Sequence, residues 1–344
     1  MGPSRPHAAA QDRNHPTRME SREPENPVSG EEESMNKSAV PQSKAVRRKA
    51  MSDRSYSYLL ITPAMVVILF FALIPLVYAI NVAFHAVDPK MGSYIGQAVG
   101  LKNFRDMLNN EQFWDAIGRT LRIAVLAVGV EMMLGTALAF LINQLRWFRG
   151  PIRSFFLLPL AAAPAAVSMI WRYMYDNEFG VFNGIATILN LPTVNWLGGA
   201  MTAPLSIILF DIWQWTPFVM LIVLAGLQSL PREPFEAAEL DGASVWMTLR
   251  RLTLPMLAPV LSLVFVLRAI DTIRLYDPVA TMTLGGPGTA TETVSYYIYR
   301  VGLKYFRLDQ ASAMSLLMLF AIVVFTGLAL RPLMRYQAER AKRG

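Results

Sequence analysis

Leu230-Pro231-Arg232-Glu233-Pro234-Phe235-Glu236-Ala237-Ala238-Glu239-Leu240-Asp241-Gly242-Ala243-Ser244-Val245-Trp246, running on to Leu252-Thr253-Leu254-Pro255, is a polar interruption between two long apolar runs. Pro234 suits the first turn of a helix, whose N–H groups have no intrahelical partner. Glu233, Glu236, Glu239 and Asp241 crowd that short helix, where the positive end of the macrodipole favours acids. Gly242 permits a sharp change of direction. Val245, Trp246, Leu249 and Leu252 then mark one face of a second helix, expected to end by Pro255. The stretch reads as helix, bend, helix.

What flanks it sets the class. The 344 residues are 53% hydrophobic and only 17% charged, with a mean hydropathy of +0.34, whereas soluble domains carry roughly a quarter charged residues. A bilayer core of about 30 Å needs about 20 apolar helical residues. Six runs of that kind occur, at 58–84, 122–143, 153–173, 203–230, 257–276 and 310–330. Pro63, Pro75, Pro164 and Pro217 fall inside them and read as kinks, which membrane bundles tolerate when neighbours satisfy the freed carbonyls. The expected fold is all-α: a polytopic membrane protein with six transmembrane helices over 56–335, the loop 231–255 lying between the fourth and fifth.

Residues 1–55 contain six prolines, dense charge and no Phe, Tyr or Trp; such a segment buries too little apolar surface to offset its ordering entropy and reads as a disordered tail. Gly30-Glu31-Glu32-Glu33-Ser34-Met35 has the form of a translated ribosome-binding site, which points to a start at Met35. Lys and Arg gather before the first run (Arg47, Arg48, Lys49, Arg54), in 146–153, in the loop 231–255 and in the basic tail 336–344. By the positive-inside rule both termini and that loop are expected in the cytoplasm. The net charge of +7 is thereby absorbed by membrane topology; no basic stripe interleaved with aromatics suggests nucleic acid. With no cysteine and three histidines, two of them in the tail, thiolate and histidine-rich metal chemistry have no residues to use.

Glu236-Ala237-Ala238, then Gly242 after three residues, and Leu254-Pro255 resemble the EAA loop of bacterial ATP-binding-cassette importer permeases. The spacing fits throughout, with Leu252 standing where the pattern has Ile. The resemblance implies that Glu236, Ala237, Ala238, Asp241, Gly242, Leu254 and Pro255 form a coupling loop seated in a cleft of a cytoplasmic ATPase subunit. No Gly-x-x-x-x-Gly-Lys-Ser/Thr cradle exists in the chain, so this chain is expected to bind no cofactor, and ATP and Mg belong to the partner ATPase. Trp213-Gln214-Trp215-Thr216-Pro217-Phe218, Asp277-Pro278, Thr283-Leu284-Gly285-Gly286-Pro287-Gly288 and Asp309-Gln310-Ala311-Ser312 carry the resemblance further, to sugar-importer permeases of the maltose and trehalose type and to the subunit bearing the Gly-Gly-Pro loop. It covers roughly 58–330 and lacks the large outer-loop insertion of the enteric maltose permease. It implies a second homologous permease in a heterodimer, two ATPase subunits, an extracytoplasmic solute-binding protein and a sugar or polyol substrate, in the bacterial cytoplasmic membrane.

A sugar path needs aromatic faces and fixed polar groups. The fourth run offers Asp211, Gln214 and Trp215, and an ionisable residue inside a span is a functional candidate by default. Asp211 reads equally as a carboxylate satisfied by a neighbouring helix; for Glu131 in the second run that structural reading is the favoured one, since the path in the resembled family runs mainly through spans four to six. In the fifth, Arg268, Asp271, Arg274 and Asp277 alternate in sign every three residues, a spacing at which neighbours can neutralise each other. They read either as path lining or as a structural ladder, and this pairing favours a neutral solute over a phosphorylated polyol or an amine. Tyr276, Tyr296, Tyr297 and Tyr299 suit an outer interfacial belt. The rival classes are a secondary transporter, for which no internal repeat is evident, and a membrane enzyme, for which no nucleophile or metal motif is present.

Overall fold

The computed structural model describes residues 53–88, 94–145 and 149–343. Met35 and nearly all of the 1–55 tail therefore lie outside the described residues. Contacts divide the chain into 1–61 and 62–344. Of the first unit only 53–61 is described, as helix; the packing belongs to the second.

The apolar runs are helices: α1 (Asp53–Ala83), α3 (Glu111–Gln144), α7 (Thr202–Gln228), α10 (Leu254–Ile273) and α12 (Leu308–Arg343), with α2 (Lys102–Leu108) before α3. Five helices are long and apolar enough to cross a membrane, or six if one bent pair counts as a span. That pair is the third run, expected as a single kinked helix. It is instead broken into α4 (Arg149–Ala161) and α5 (Pro164–Met174), bent by 98°. Pro164 excludes its predecessor from the helical region, and Ala163 is accordingly extended at φ −62°, ψ 128°. A second feature absent from the sequence reading is an antiparallel hairpin after α1, β1 (His85–Asp88) with β2 (Tyr94–Ala98), clamped by Asn103 Nδ2, which donates to the Ala83 and His85 carbonyls.

The core lies where α3 and α7 run side by side in the same direction, Ile123 and Ala127 meeting Ile207 and Ile208 at one end and Ala139 and Ile142 meeting Val223 and Leu227 at the other. Gly135 makes that approach possible: a Cβ there would stand 2.6 Å from Val219 Cβ. α10 returns in the opposite direction, Leu257 packing on Leu224 and Leu227. Much of the remaining apolar surface is exposed, including Phe71 on α1 and Phe320 on α12, as befits helices whose solvent is hydrocarbon.

Between α5 and α7, α6 (Val181–Ile188) is held by Asn183. Its Nδ2 donates to the Val194 carbonyl, and its Oδ1 accepts from Val194 N and Trp196 Nε1. Around it Trp171, Tyr175, Phe182, Trp196 and Phe210 form an aromatic cluster.

Candidate functional site

The loop after α7 is built as a projecting elbow. α8 (Glu233–Leu240) carries Pro234 in its first turn and Glu233 and Glu236 at its positive end. Gly242 adopts φ +70°, Gly242 N–H donates to the Glu239 carbonyl and Ala243 N–H to that of Ala238. This is a left-handed helix stop of the Schellman type, for which glycine has no Cβ penalty. Ser244 Oγ then accepts from Met247 N at 3.3 Å and starts α9 (Val245–Thr248). The expected stop at Pro255 is not observed. A wide turn over Leu249–Thr253, in which Leu254 N–H reaches back to the Leu249 carbonyl, places Pro255 in the opening turn of α10, where its missing donor costs nothing. The second half of the loop, from Val245, and the fifth apolar run are thus one helical piece.

The elbow leaves a distinctive surface. Leu240 and Val245 are 90% and 85% exposed, Trp246 is exposed beside them, and Glu236, Ala237, Asp241 and Gly242 are exposed too. Behind α8, a cleft of about 830 Å³ is lined by Arg232, Phe235, Glu236, Glu239, Gln228 and Asn143 among others. Exposed apolar side chains rimmed by acids are the kind of surface that marks interaction sites in proteins.

A second arrangement is buried in the bundle. Arg268 on α10, 1% exposed, donates Nε to Glu131 Oε2 at 2.7 Å and Nη2 to Glu131 Oε1 at 3.1 Å. The same guanidinium reaches Asp211 Oδ2 on α7 at 3.0 Å, Asp271 Oδ2 at 2.7 Å and Thr272 Oγ1 at 3.0 Å. Its Cζ lies 4.6 Å from the centroid of the Trp215 ring, within cation–π range. Of the residues the sequence suggested, Asp211, Trp215, Arg268 and Asp271 therefore do lie together, with Gln214 next to Trp215 on α7. They divide by accessibility: Asp211, Gln214 and Arg268 are buried, Trp215 is half-buried and Asp271 is 50% exposed.

Arg274 stands apart. The alternating ladder closes only at its first rung, since among the described residues Arg268–Asp271 is an ion pair and no Arg274–Asp271 or Arg274–Asp277 pair occurs. Exposed Arg274 instead lines a cavity of about 590 Å³ with Tyr276, Ser295, Ser315 and Met318. Sequence reasoning weighed Glu131 between a functional acid and a carboxylate satisfied by a neighbouring helix, and could not see that it is the principal partner of Arg268; an acid in an apolar run was the only signal.

At the end of the bundle opposite the elbow, the Gly-Gly-Pro loop is tied to α3. Glu292 Oε1 pairs with Arg300 Nη2 at 2.9 Å, Arg119 Nη2 stands 3.8 Å from Glu292 Oε2, and Arg119 Nε donates to the Glu292 carbonyl. Burial pushes the Glu292 carboxyl above its ordinary range, against the pull of Arg300 and Arg119. Next to it, Thr120 Oγ1 accepts from Val294 N and Thr293 Oγ1 donates to the Leu275 carbonyl. The expected tyrosine belt is corrected here. Tyr296 and Tyr297 on α11 (Val294–Tyr299) are core residues, Tyr297 packing with Phe113 and Met314 while its hydroxyl accepts from Asn110 Nδ2.

The family model for the binding-protein-dependent transport system inner membrane component matches residues 131–343, from the buried Glu131 to the end of α12. The chain belongs to that family. The permease is 38% identical over 272 residues to the protein named Probable ABC transporter permease protein y4oQ of Sinorhizobium fredii, covering 79% of this chain and 87% of that one. It is 34% identical to the trehalose/maltose transport system permease protein MalF of Thermococcus litoralis, covering 80% and 92%. Among solved structures, a chain of a bacterial ABC transporter involved in the import of the acidic polysaccharide alginate shares its fold, with a TM-score of 0.71 and 24% identity over 82% of this chain and 96% of that one. The permease is thus a multi-pass inner-membrane component of a binding-protein-dependent ABC transporter, a non-catalytic transport subunit. Membership removes the ion-driven transporter and the membrane enzyme as alternatives.

Proposed function

We propose that this permease moves a sugar or polyol inward by alternating access, with six spans, α4 and α5 together forming the third, and both termini in the cytoplasm. It pairs with a second homologous permease, two ATPase subunits and an extracytoplasmic solute-binding protein. Residues 231–255 form the coupling element: Glu236 offers a charge-assisted partner to a basic cleft residue, Ala237 and Ala238 allow close approach, and Asp241, Gly242, Leu254 and Pro255 set the elbow and its junction with α10. ATP and Mg are used by the partner, and this chain holds no cofactor of its own. The observation that carries this reading is the elbow, exposed at Glu236, Leu240, Val245 and Trp246 and continuous with the fifth span, so that a push on it is delivered directly to α10.

The path for solute runs along Trp215, Asp271 and Arg274, with Asp211, Gln214 and Arg268 behind them. A saccharide is supported by 34% identity to a trehalose/maltose permease along most of the chain and by the ring and polar groups at this surface. Arg274, exposed and with no ion pair among the described residues, favours a second reading, a solute bearing an anion such as a phosphorylated polyol. The complex reconstituted in vesicles with its binding protein separates them. Stimulation of ATP hydrolysis by trehalose or maltose is expected; stimulation by glycerol phosphate alone would replace the sugar reading.

A further inference from the structure

Glu131 lies on the second span, outside the surfaces assigned to solute or ATPase, yet it is fully buried and grips Arg268 through both carboxylate oxygens. A two-point grip of this kind fixes the plane of a guanidinium as well as its position. Arg268 has two accessible neighbours, and it holds both. One is Trp215, whose ring lies against its Cζ; the other is Asp271, whose Oδ2 takes its Nη1. Gly135, one turn along α3 from Glu131, lets that helix approach α7 closely, where a Cβ would meet Val219.

We infer that Glu131 is a positioning residue for translocation: through the plane of Arg268 it sets the attitude of the Trp215 ring and the Asp271 carboxylate, the two groups this cluster presents to the path. The purpose is physical. Solute recognition depends on placement to within a fraction of an ångström, and Trp215 and Asp271 sit on two different helices, α7 and α10. A buried cation clamped from a third helix locks their relative geometry without itself touching solute. A buried ion pair is weak as a source of stability and better suited to specifying one arrangement.

This inference rests on the sugar-path reading for its transport consequence but not for its structural one, and the test separates the two. The assembled complex is labelled with 5-fluorotryptophan, the Trp215 resonance being identified among the seven tryptophans by its loss in Trp215→Phe. In Glu131→Gln the Trp215 line is expected to shift while those of Trp171 and Trp196 stay in place, and the KM for uptake of trehalose or maltose is expected to rise about tenfold or more. Glu131→Asp, which keeps the charge but shortens its reach, is expected to shift the same line and raise KM less; it decides the matter if Glu131→Gln fails to assemble. An unmoved Trp215 line in the assembled variants, with KM at the wild-type value and only a lower thermal midpoint, overturns the inference and leaves Glu131 a structural residue. If wild type takes up neither sugar, the substrate reading fails while the fluorine spectra still judge Glu131.

Discussion

Glu292 and Arg268 show how far single residues could be read. In Arg268 the sequence exposed a charge that needed neutralising, and Asp271 three residues on was a visible partner that the structure keeps. The buried partners, Glu131 and Asp211, come from other helices, and separations of that size carry no local signal. Glu292 gave no signal beyond its place after a Gly-Gly-Pro turn, because its burial depends on Arg119 and Arg300 converging from two directions. Its chemistry makes a prediction. Its folded-state value lies above the ordinary 4.5 through burial, so its favourable contribution is full below about 4.5 and lost as pH rises through the raised value. Glu292→Gln, which mimics the protonated form, is expected to melt at or above wild type at pH 8, the difference closing toward pH 5. A melting deficit larger at pH 8 than at pH 5 would show that the ion pairs outweigh burial.

At the scale of elements, the long helices were legible because hydrocarbon imposes a minimum length of apolar sequence, and α1, α3, α7, α10 and α12 all fall on the predicted runs. The elbow was legible because proline, acids and glycine each have a positional reason there. The break between α4 and α5 was not: a proline in an apolar run signals interruption, but whether the chain bends slightly or by 98° is decided by packing. The continuation of α9 into α10 was missed because a wide turn absorbs the proline. Gly242 carries the prediction at this scale. Its φ of +70° is closed to proline, whose ring fixes φ near −65°, while open space around its Cβ position leaves alanine only the left-handed penalty of about 1–2 kcal/mol. Gly242→Pro is expected to insert and assemble its spans, judged by gel filtration, but to lose ATP-driven uptake; Gly242→Ala should keep most of it. Unchanged uptake by Gly242→Pro would show that the elbow's shape is not what couples.

For the whole molecule, the proposal is a lever: a docking elbow at one end of the bundle, a continuous helix through it, and a charged clamp near the far end of that same helix. Arg268 stands 14 residues beyond Leu254 in α10, about 21 Å at 1.5 Å per residue, so a displacement of the elbow and a change at the Trp215–Asp271 surface share one rigid element. The expected sidedness rests on the basic loops, and the proposed partners were legible only through resemblance, because their surfaces are not encoded in this chain. The absence of cysteine makes the central claim directly measurable. A single cysteine at Ala237 on the elbow, in the assembled transporter, is joined by a maleimide–succinimide cross-linker to whatever protein lies within reach, with a cysteine at Phe179, exposed on the loop before α6, as its counterpart. The account predicts a covalent adduct with the ATPase subunit from Ala237→Cys and none from Phe179→Cys. An ATPase adduct from position 179 and none from position 237 would contradict it.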